Sequence, residues 1–294
     1  MAGFIAQYGS DGRDFRLLEE TCMKYLFFDI DGTLVSHDHG LIPSAKKAIE
    51  RSRQKGNLCF LATGRHLSSL WAVKDLDMDG VIYCNGAGIF MHGKILYTNP
   101  IPHAICSRTV FQAEERNGAY SLQSSYEMFK NVAEMDRFEK SAAFDPRFTS
   151  FQDKLQKFGA KPFTQYRSQD ILKIDIGFAT EEIMDDFQKV MSSQLTLVST
   201  AGYHIEEGRK SGEITRKGVS KGTAIEKLVE MLQGNMADTY AFGDSGNDLD
   251  MIQRCHTGIA MGNGFDELKK AADYVTDDID HDGLAKAMEH FHLV

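Results

Sequence analysis

Residues 24 to 36 read KYLFFDIDGTLVS, an aromatic-rich apolar run that passes without a spacer into two aspartates one residue apart. An apolar run of this length closed by Asp-Gly reads as a buried strand ending at a sharp turn. Carboxylates at such an end are costly unless a cation or a reaction needs them. Turn chemistry alone accounts for Asp31-Gly32, so this stretch by itself does not separate turn from site. The fold follows from its repetition. Pro43 and Ser44, a candidate cap, open a helix. NLCFLATGR is a second apolar strand, ending in Thr63-Gly64-Arg65, and a helix around 66–75 leads to a third strand, VIYCNGAG. Alternating helices and strands that are apolar throughout predict a doubly wound parallel sheet, an α/β fold of Rossmann-like type. Ligands of such sheets sit beyond the carboxyl ends of the strands, where Asp29, Asp31 and Thr63 all lie.

The 294 residues suit about two domains. The middle of the chain, 88–199, has strand signals at KILY, GAYSLQ and ILKIDIGFA and helices near 102–117, 147–158 and 181–193. None ends in a polar constellation, so it reads as a separate α+β unit inserted into the sheet domain, which comprises 24–87 and 200–294. Residues 1–23 are polar and mixed and read as an N-terminal extension, with Met23 a candidate start. The strand-helix pattern resumes with VSKGTAIEKLVEML, whose apolar residues fall at helical spacing, then TYAFGDSGNDLDMI, TGIAMGNG, ADYVT and the helix GLAKAMEHF.

Five scattered cysteines without a Cys-x-x-Cys pair argue against a disulfide framework or a zinc site and fit a reducing compartment, hence the cytoplasm. No apolar run approaches the roughly 20 residues that span a bilayer. The formal charge of −9 argues against a duplex nucleic-acid binder. It does not exclude an anionic substrate, because screening over about 8 Å leaves local cations to decide.

Four strand ends or helix starts carry polar groups: Asp29 with Asp31; Thr63 with Gly64; Lys221 with Gly222; and Asp244 with Asn247 and Asp248. Three or more carboxylates around one cleft suit an oxygen-loving cation, magnesium above all. A Thr hydroxyl, a Lys ammonium and backbone N–H groups at a helix start suit a phosphate. Together they describe phosphoryl transfer.

In order and context, DIDGT at 29–33, TGR at 63–65, KG at 221–222 and GDSGND at 243–248 resemble the four motifs of the haloacid dehalogenase-like hydrolases. More narrowly the chain resembles the Cof-type sugar-phosphate phosphatases, a match strengthened by NGAG at 85–88, MGNG at 261–264 and ADYVT. The resemblance covers the core; 88–199 matches in position and size, as an inserted α/β cap. The polar stretch EEGRKSGEITRKG departs from the pattern in length and leaves the return from cap to core open. The resemblance implies that Asp29 attacks phosphorus to form an aspartyl-phosphate, and that Asp31 protonates the leaving oxygen and then activates water. It implies Mg²⁺ held by the Asp29 carboxylate, the Asp31 backbone carbonyl and Asp244, with Asp248 steering from behind these ligands. Thr63, Gly64, Lys221 and Asn247 become the substrate-binding residues. The expected activity is magnesium-dependent hydrolysis of small phosphorylated metabolites, sugar phosphates or related compounds. A phosphomutase, or a non-catalytic metal- or phosphate-binding protein, remains the alternative.

Competing readings of single motifs carry less. GDSG is a serine-protease tetrapeptide, but it follows a parallel-type strand in a cysteine-poor chain, and a triad is defined by geometry. DIDHDGLAKAME at 278–289 fits the calcium-loop pattern. However, a strand precedes it and Lys286 stands where an oxygen ligand is usual, so a turn capping the last helix is the expectation. His37-Asp38-His39 reads as a polar loop, Lys217 as a surface lysine, Arg65 as an ion-pair partner near the site and Trp71 as core.

Overall fold

The computed structural model describes residues 23–142, 145, 147–199 and 209–294; the N-terminal extension up to residue 22 and the first part of the cap-to-core return lie outside them. Two sheets carry the architecture. The first has eight strands in the order Tyr274–Val275, Thr257–Ala260, Thr239–Gly243, Tyr25–Phe28, Leu58–Ala62, Gly80–Tyr83, Gly88–Met91 and Lys94–Thr98. The first six run parallel, as the expected doubly wound sheet requires. Central strands such as YLFF are buried along their whole length because helices cover both faces. Leu26 and Phe28 pack on the side of Pro43–Gln54 and Gly283–His290, and Phe27 on the side of Lys221–Met231 and Leu249–Arg254.

The last two strands extend the first sheet beyond the expected limit at residue 87, so residues 88–98 do not belong to the insert's sheet. They form an antiparallel hairpin, with Met91 opposite Lys94. Both turn residues, His92 at φ 51° and Gly93 at φ 75°, are left-handed, the conformation a two-residue hairpin turn requires. The hairpin covers the edge of Gly80–Tyr83, and its outer strand, exposed along most of its length, becomes the new edge.

The second sheet has six strands: Ala160–Pro162, Met128–Lys130, Ala119–Gln123, Lys173–Phe178, Lys210–Arg216 and Leu195–Ser199. Lys210–Arg216, expected within the returning core, pairs here instead. Helices His103–Glu114 and Glu181–Val190 pack against one face of this sheet through Cys106, Ala113, Met184 and Phe187. Period-two alternation then divides its strands. Leu122, Ile174, Ile176 and Ile214 enter that core, while Ser121, Gln123, Lys173, Asp175 and Glu213 lie on the opposite face. The register sets Asp175 opposite Glu213 and Ser121, and Lys173 opposite Gln123.

Several local expectations change. The helix around 66–75 is two single turns, Leu67–Ser69 and Trp71–Val73. Trp71 is not core: it is partly buried against Phe148 and Phe158 of the second layer, at ring distances of 5.5 and 6.1 Å. Ser44 does not cap its helix, which begins at Pro43 with Ile42 as the cap residue; the hydroxyl donates to Asp282 instead. The helix expected at 147–158 is Phe151–Lys157, capped by Ser150, and Val132–Ala142 is an additional helix. In the DIDHDG turn, Asp278 caps the single turn Ile279–His281, and Asp282, at φ 60°, precedes Gly283–His290. No described helix is long and apolar enough to cross a membrane.

Candidate active site

Parallel register brings the motifs together. Phe28 is level with Leu61 on one side and Phe242 on the other, so Asp29, Thr63 and Asp244 leave the sheet at one edge. Two glycines make the approach possible. A Cβ on Gly32, at φ +87°, would lie 2.3 Å from Asp244 Oδ2, and one on Gly243 would lie 2.6 Å from Asp248 Cβ. Side chains at these positions would push the loops apart.

Lys221 is the first residue of a helix whose start is fixed by Ser220. The Ser220 hydroxyl accepts from Thr223 N at 3.0 Å, and the Thr223 hydroxyl accepts from Ser220 N. A cation at a helix N-terminus opposes the helix dipole, and Lys221 is also completely buried. Two carboxylates compensate: Nζ donates to Asp29 Oδ1 and to Asp248 Oδ1, each at 2.6 Å. Burial works against the Lys221 charge, but Asp248 and Asp29 outweigh it and hold its pKa above the ordinary value.

The other Asp248 oxygen accepts from the Asp244 and Ser245 amides at 3.0 and 2.9 Å. Both Asp248 oxygens are thus engaged, one by Lys221 and the other by the loop amides. Oxygens of Asp29, Asp244 and Asp248 all lie within 4.8 Å of one another. Asp244 Oδ1 accepts from Thr33 at 3.1 Å, which leaves Oδ2 of both Asp29 and Asp244 without a hydrogen-bond partner among the described residues. Burial, aided by the neighbouring carboxylates, pushes Asp29 up to about 7 and Asp244 up to about 9, against Lys221. One ammonium among three carboxylates leaves negative charge unbalanced, and the unshared donors are hard oxygens. This donor set fits a divalent cation.

Thr63 is buried, and its hydroxyl accepts from Arg65 N at 3.1 Å. Asn247 reaches the same cleft, donating to Asn85 Oδ1 at 3.3 Å and Glu213 Oε2 at 3.2 Å. Asp31 is held in a fork by Arg65, with Nε to Oδ2 at 2.8 Å and Nη2 to Oδ1 at 2.6 Å. Arg65 is itself anchored on the Ser69 carbonyl. Ser245 has no described histidine as a partner; its hydroxyl meets Asn247 and Asp248, so GDSG here orders the loop.

Sequence reasoning left Arg65 off the site and missed Asn85, Lys173 and Glu213. Asn85, left-handed at φ 54°, donates to Glu213 Oε2 at 2.7 Å, and Lys173 pairs with Glu213 Oε1. The strict alternation in LKIDI, charged on one face and apolar on the other, is the signal that could have found Lys173 and Asp175. A cavity of about 500 Å³ lies between the layers, lined by Asp29, Asp31, Thr63, Gly64, Asp244 and Asn247 on one side and by Gln123, Lys173, Asp175 and Glu213 on the other.

Residues 26–288 match the profile of a family described as haloacid dehalogenase-like hydrolase. YkrA of Bacillus subtilis (strain 168) is 30% identical over 280 residues, covering 92% of this chain and 98% of that one. The 5-amino-6-(5-phospho-D-ribitylamino)uracil phosphatase YcsE of the same strain is 27% identical, covering 94% and 98%. Among solved structures, a subclass IIB sugar phosphatase of the superfamily aligns with a TM-score of 0.77 at 28% identity, over 92% of this chain and all of that one.

Proposed function

The chain belongs to the haloacid dehalogenase-like hydrolases, as a phosphatase of their Cof type, and from that premise we propose that it is a magnesium-dependent phosphatase of small phosphorylated metabolites in the cytoplasm. The observation that carries the reading is the buried Lys221 between Asp29 and Asp248 with Asp244 beside them. Mg²⁺ held by the carboxylates of Asp29 and Asp244 and by the Asp31 carbonyl, with water completing its shell, would neutralise phosphoryl oxygens and relieve their repulsion from the attacking carboxylate.

Asp29 attacks phosphorus; an oxygen–phosphorus bond forms to its carboxylate as the bond to the leaving oxygen breaks. Lys221 keeps Asp29 oriented and offsets charge at the attacking end. Thr63, the Gly64 amide and Asn247 hold the phosphoryl oxygens. A proton from Asp31 reaches the leaving oxygen, and Asp31 later takes one from the water that cleaves the aspartyl-phosphate, restoring Asp29. The Arg65 fork holds both Asp31 oxygens in the resting geometry, from which the group serves the second step. For the first, Asp31 must turn out of the fork, and its side chain, about a third exposed, has room to do so. The second layer acts as the cap, excluding water from the cleft and meeting the rest of the substrate.

Hydrolysis of p-nitrophenyl phosphate, followed by release of inorganic phosphate with and without magnesium, tests the proposal. Magnesium-dependent turnover is expected. No phosphate release from this or any of a panel of sugar phosphates would overturn the proposal and leave the phosphomutase and binding-protein alternatives, which conversion of a hexose 1-phosphate to its 6-phosphate separates.

A further inference from the structure

Three consecutive residues, Cys84, Asn85 and Gly86, lie in the left-handed region, at φ 49°, 54° and 93°. Glycine takes this conformation freely, but for the two residues that carry a Cβ it is unfavourable and persists only where the surroundings hold it. Here they do. The Cys84 amide donates to the Arg65 carbonyl at 2.9 Å, and the Asn85 amide to the Thr63 carbonyl at 3.0 Å. On its other side the turn presses on the start of the Lys221 helix: a Cβ on Gly86 would lie 2.0 Å from the Ser220 carbonyl oxygen.

The strained turn places one buried amide. Asn85 is 6% exposed, and its side-chain nitrogen donates to Glu213 Oε2 at 2.7 Å. Its oxygen accepts from Asn247 Nδ2 at 3.3 Å, and Glu213 Oε2 accepts from the same nitrogen at 3.2 Å. The Ser245 hydroxyl, donating to Asn247 Oδ1 at 2.8 Å, fixes which way the Asn247 amide faces. Both hydrogens of Asn247 Nδ2 are thus aimed by acceptors, through bonds long enough for a charged phosphate oxygen to take one over. The group borders the Gly64 amide, since a Cβ on Gly64 would lie 2.9 Å from Asn85 Oδ1 and 3.2 Å from Glu213 Oε1. It also crosses between layers. Asn85 follows Gly80–Tyr83 and Asn247 follows Thr239–Gly243 in the first sheet, whereas Glu213 belongs to Lys210–Arg216 of the second.

We infer that Asn85 and Glu213 are positioning residues for phosphoryl transfer: together they aim the Asn247 amide at the phosphate, and the aim is complete only while the second layer is seated on the first. The inference rests on the phosphatase reading, in which Asn247 holds a phosphoryl oxygen, and adds two groups that act through it. With Glu213 withdrawn, Asn85 loses its shortest side-chain bond and the Asn247 amide is free to turn. An effect exerted on the phosphate grip does not depend on the leaving group.

Asn85→Gly keeps the left-handed turn, which glycine adopts without penalty, and deletes the side-chain amide alone. Glu213→Gln keeps the size, but its nitrogen must face either Lys173 or the two asparagine donors. Each variant is expected to lower kcat/KM about tenfold, by the same factor for p-nitrophenyl phosphate and for sugar phosphates, and to weaken inhibition by inorganic phosphate as much. In an Asn247→Ala background Asn85→Gly should cost less than about twofold, because its route to the substrate is gone. An unchanged kcat/KM, full additivity with Asn247→Ala, or a loss confined to sugar phosphates overturns the inference. Glu213→Gln supplies the same comparisons where Asn85→Gly does not fold. If the wild type turns over no substrate, the phosphatase reading fails instead, and thermal-shift titration with inorganic phosphate and magnesium decides. Binding about tenfold weaker in Asn85→Gly supports the positioning role, and equal binding overturns it.

Discussion

Two buried lysines, one in each layer, keep the same company and serve different ends. Lys221 sits between Asp29 and Asp248, and Lys173 between Asp175 and Glu213. Around Lys221 a third carboxylate, Asp244, is added, and Asp29 and Asp244 are both raised out of the ordinary carboxylate range, mainly by burial. Around Lys173 the two carboxylates differ: burial raises Asp175 against the pull of Lys173. Burial raises Glu213, but Lys173 and the amides of Asn85 and Asn247 outweigh it and hold Glu213 below its ordinary value. The first cluster is short of positive charge and suited to receive a cation and a reacting phosphate. The second is closer to self-sufficient, so it can hold a wall in place without competing for the phosphoryl group.

The largest effect expected from breaking this contrast is at Asp29. Asp29→Asn removes the attacking oxygen and should lower turnover by at least about 10⁴-fold with every substrate, measured by steady-state phosphate release. A loss of only a few-fold would move the nucleophile elsewhere.

Next comes the cation. EDTA should abolish turnover, magnesium should restore it, and calcium should do so poorly because its looser shell misplaces the phosphate. The pH dependence has a definite sign. Asp29 and Asp244 have folded-state values of about 7 and about 9, above the ordinary 3.8. The cation-free folded protein therefore binds more protons than the unfolded chain across that window, and its stability falls as pH rises through it. Cation binding needs both groups deprotonated. The rise in Tm on adding magnesium should thus be larger at about pH 8 than at about pH 6, and a pH-independent rise would contradict the charge imbalance described above.

The lysines themselves sharpen the comparison. Removing either leaves buried carboxylates uncompensated, which typically costs about 3–5 kcal/mol of stability. Lys221→Met and Lys173→Met should therefore both lower Tm in the presence of magnesium. Lys221→Met should cost far more turnover of p-nitrophenyl phosphate than Lys173→Met does. Equal losses with this small substrate would mean that the second cluster takes part in the chemistry. The smallest effect is expected at Asp280, in the calcium-loop look-alike: Asp280→Ala should leave turnover and magnesium dependence within about twofold, consistent with an exposed residue outside special sites. Submillimolar calcium binding by calorimetry, lost in that variant, would restore the calcium reading.

The same contrast explains what could be read in advance. The parallel sheet and the Asp29, Thr63, Lys221 and Asp244 positions were legible because buried parallel strands are continuous apolar runs, and the polar residues that interrupt them stand at strand ends in short motifs. Lys173 and Asp175 lie within a strand, where alternation hides charge as ordinary surface patterning, and nothing local says that this face meets another layer. Lys210–Arg216 is silent for a related reason: KSGEITR has too few apolar residues to announce a strand, and its pairing is set by partners distant in sequence. The strands at 88–98 read as part of the insert because strand signals do not name their neighbour. The Arg65 fork on Asp31 depends on two loops meeting, which spacing alone does not reveal.

The central claim is that Asp29 carries the phosphoryl group and Asp31 releases it. In Asp31→Asn the Asp29 nucleophile remains while acid–base help is lost, worth about 10²–10⁴ in rate with alkyl phosphates. The first step should suffer less with an aryl phosphate, whose leaving group needs no proton. Acid quenching of this variant during turnover of p-nitrophenyl phosphate, followed by mass spectrometry of the peptide carrying residues 24–36, should find phosphate on Asp29 and none in Asp29→Asn. Phosphate on Ser36 or on a histidine would contradict the account.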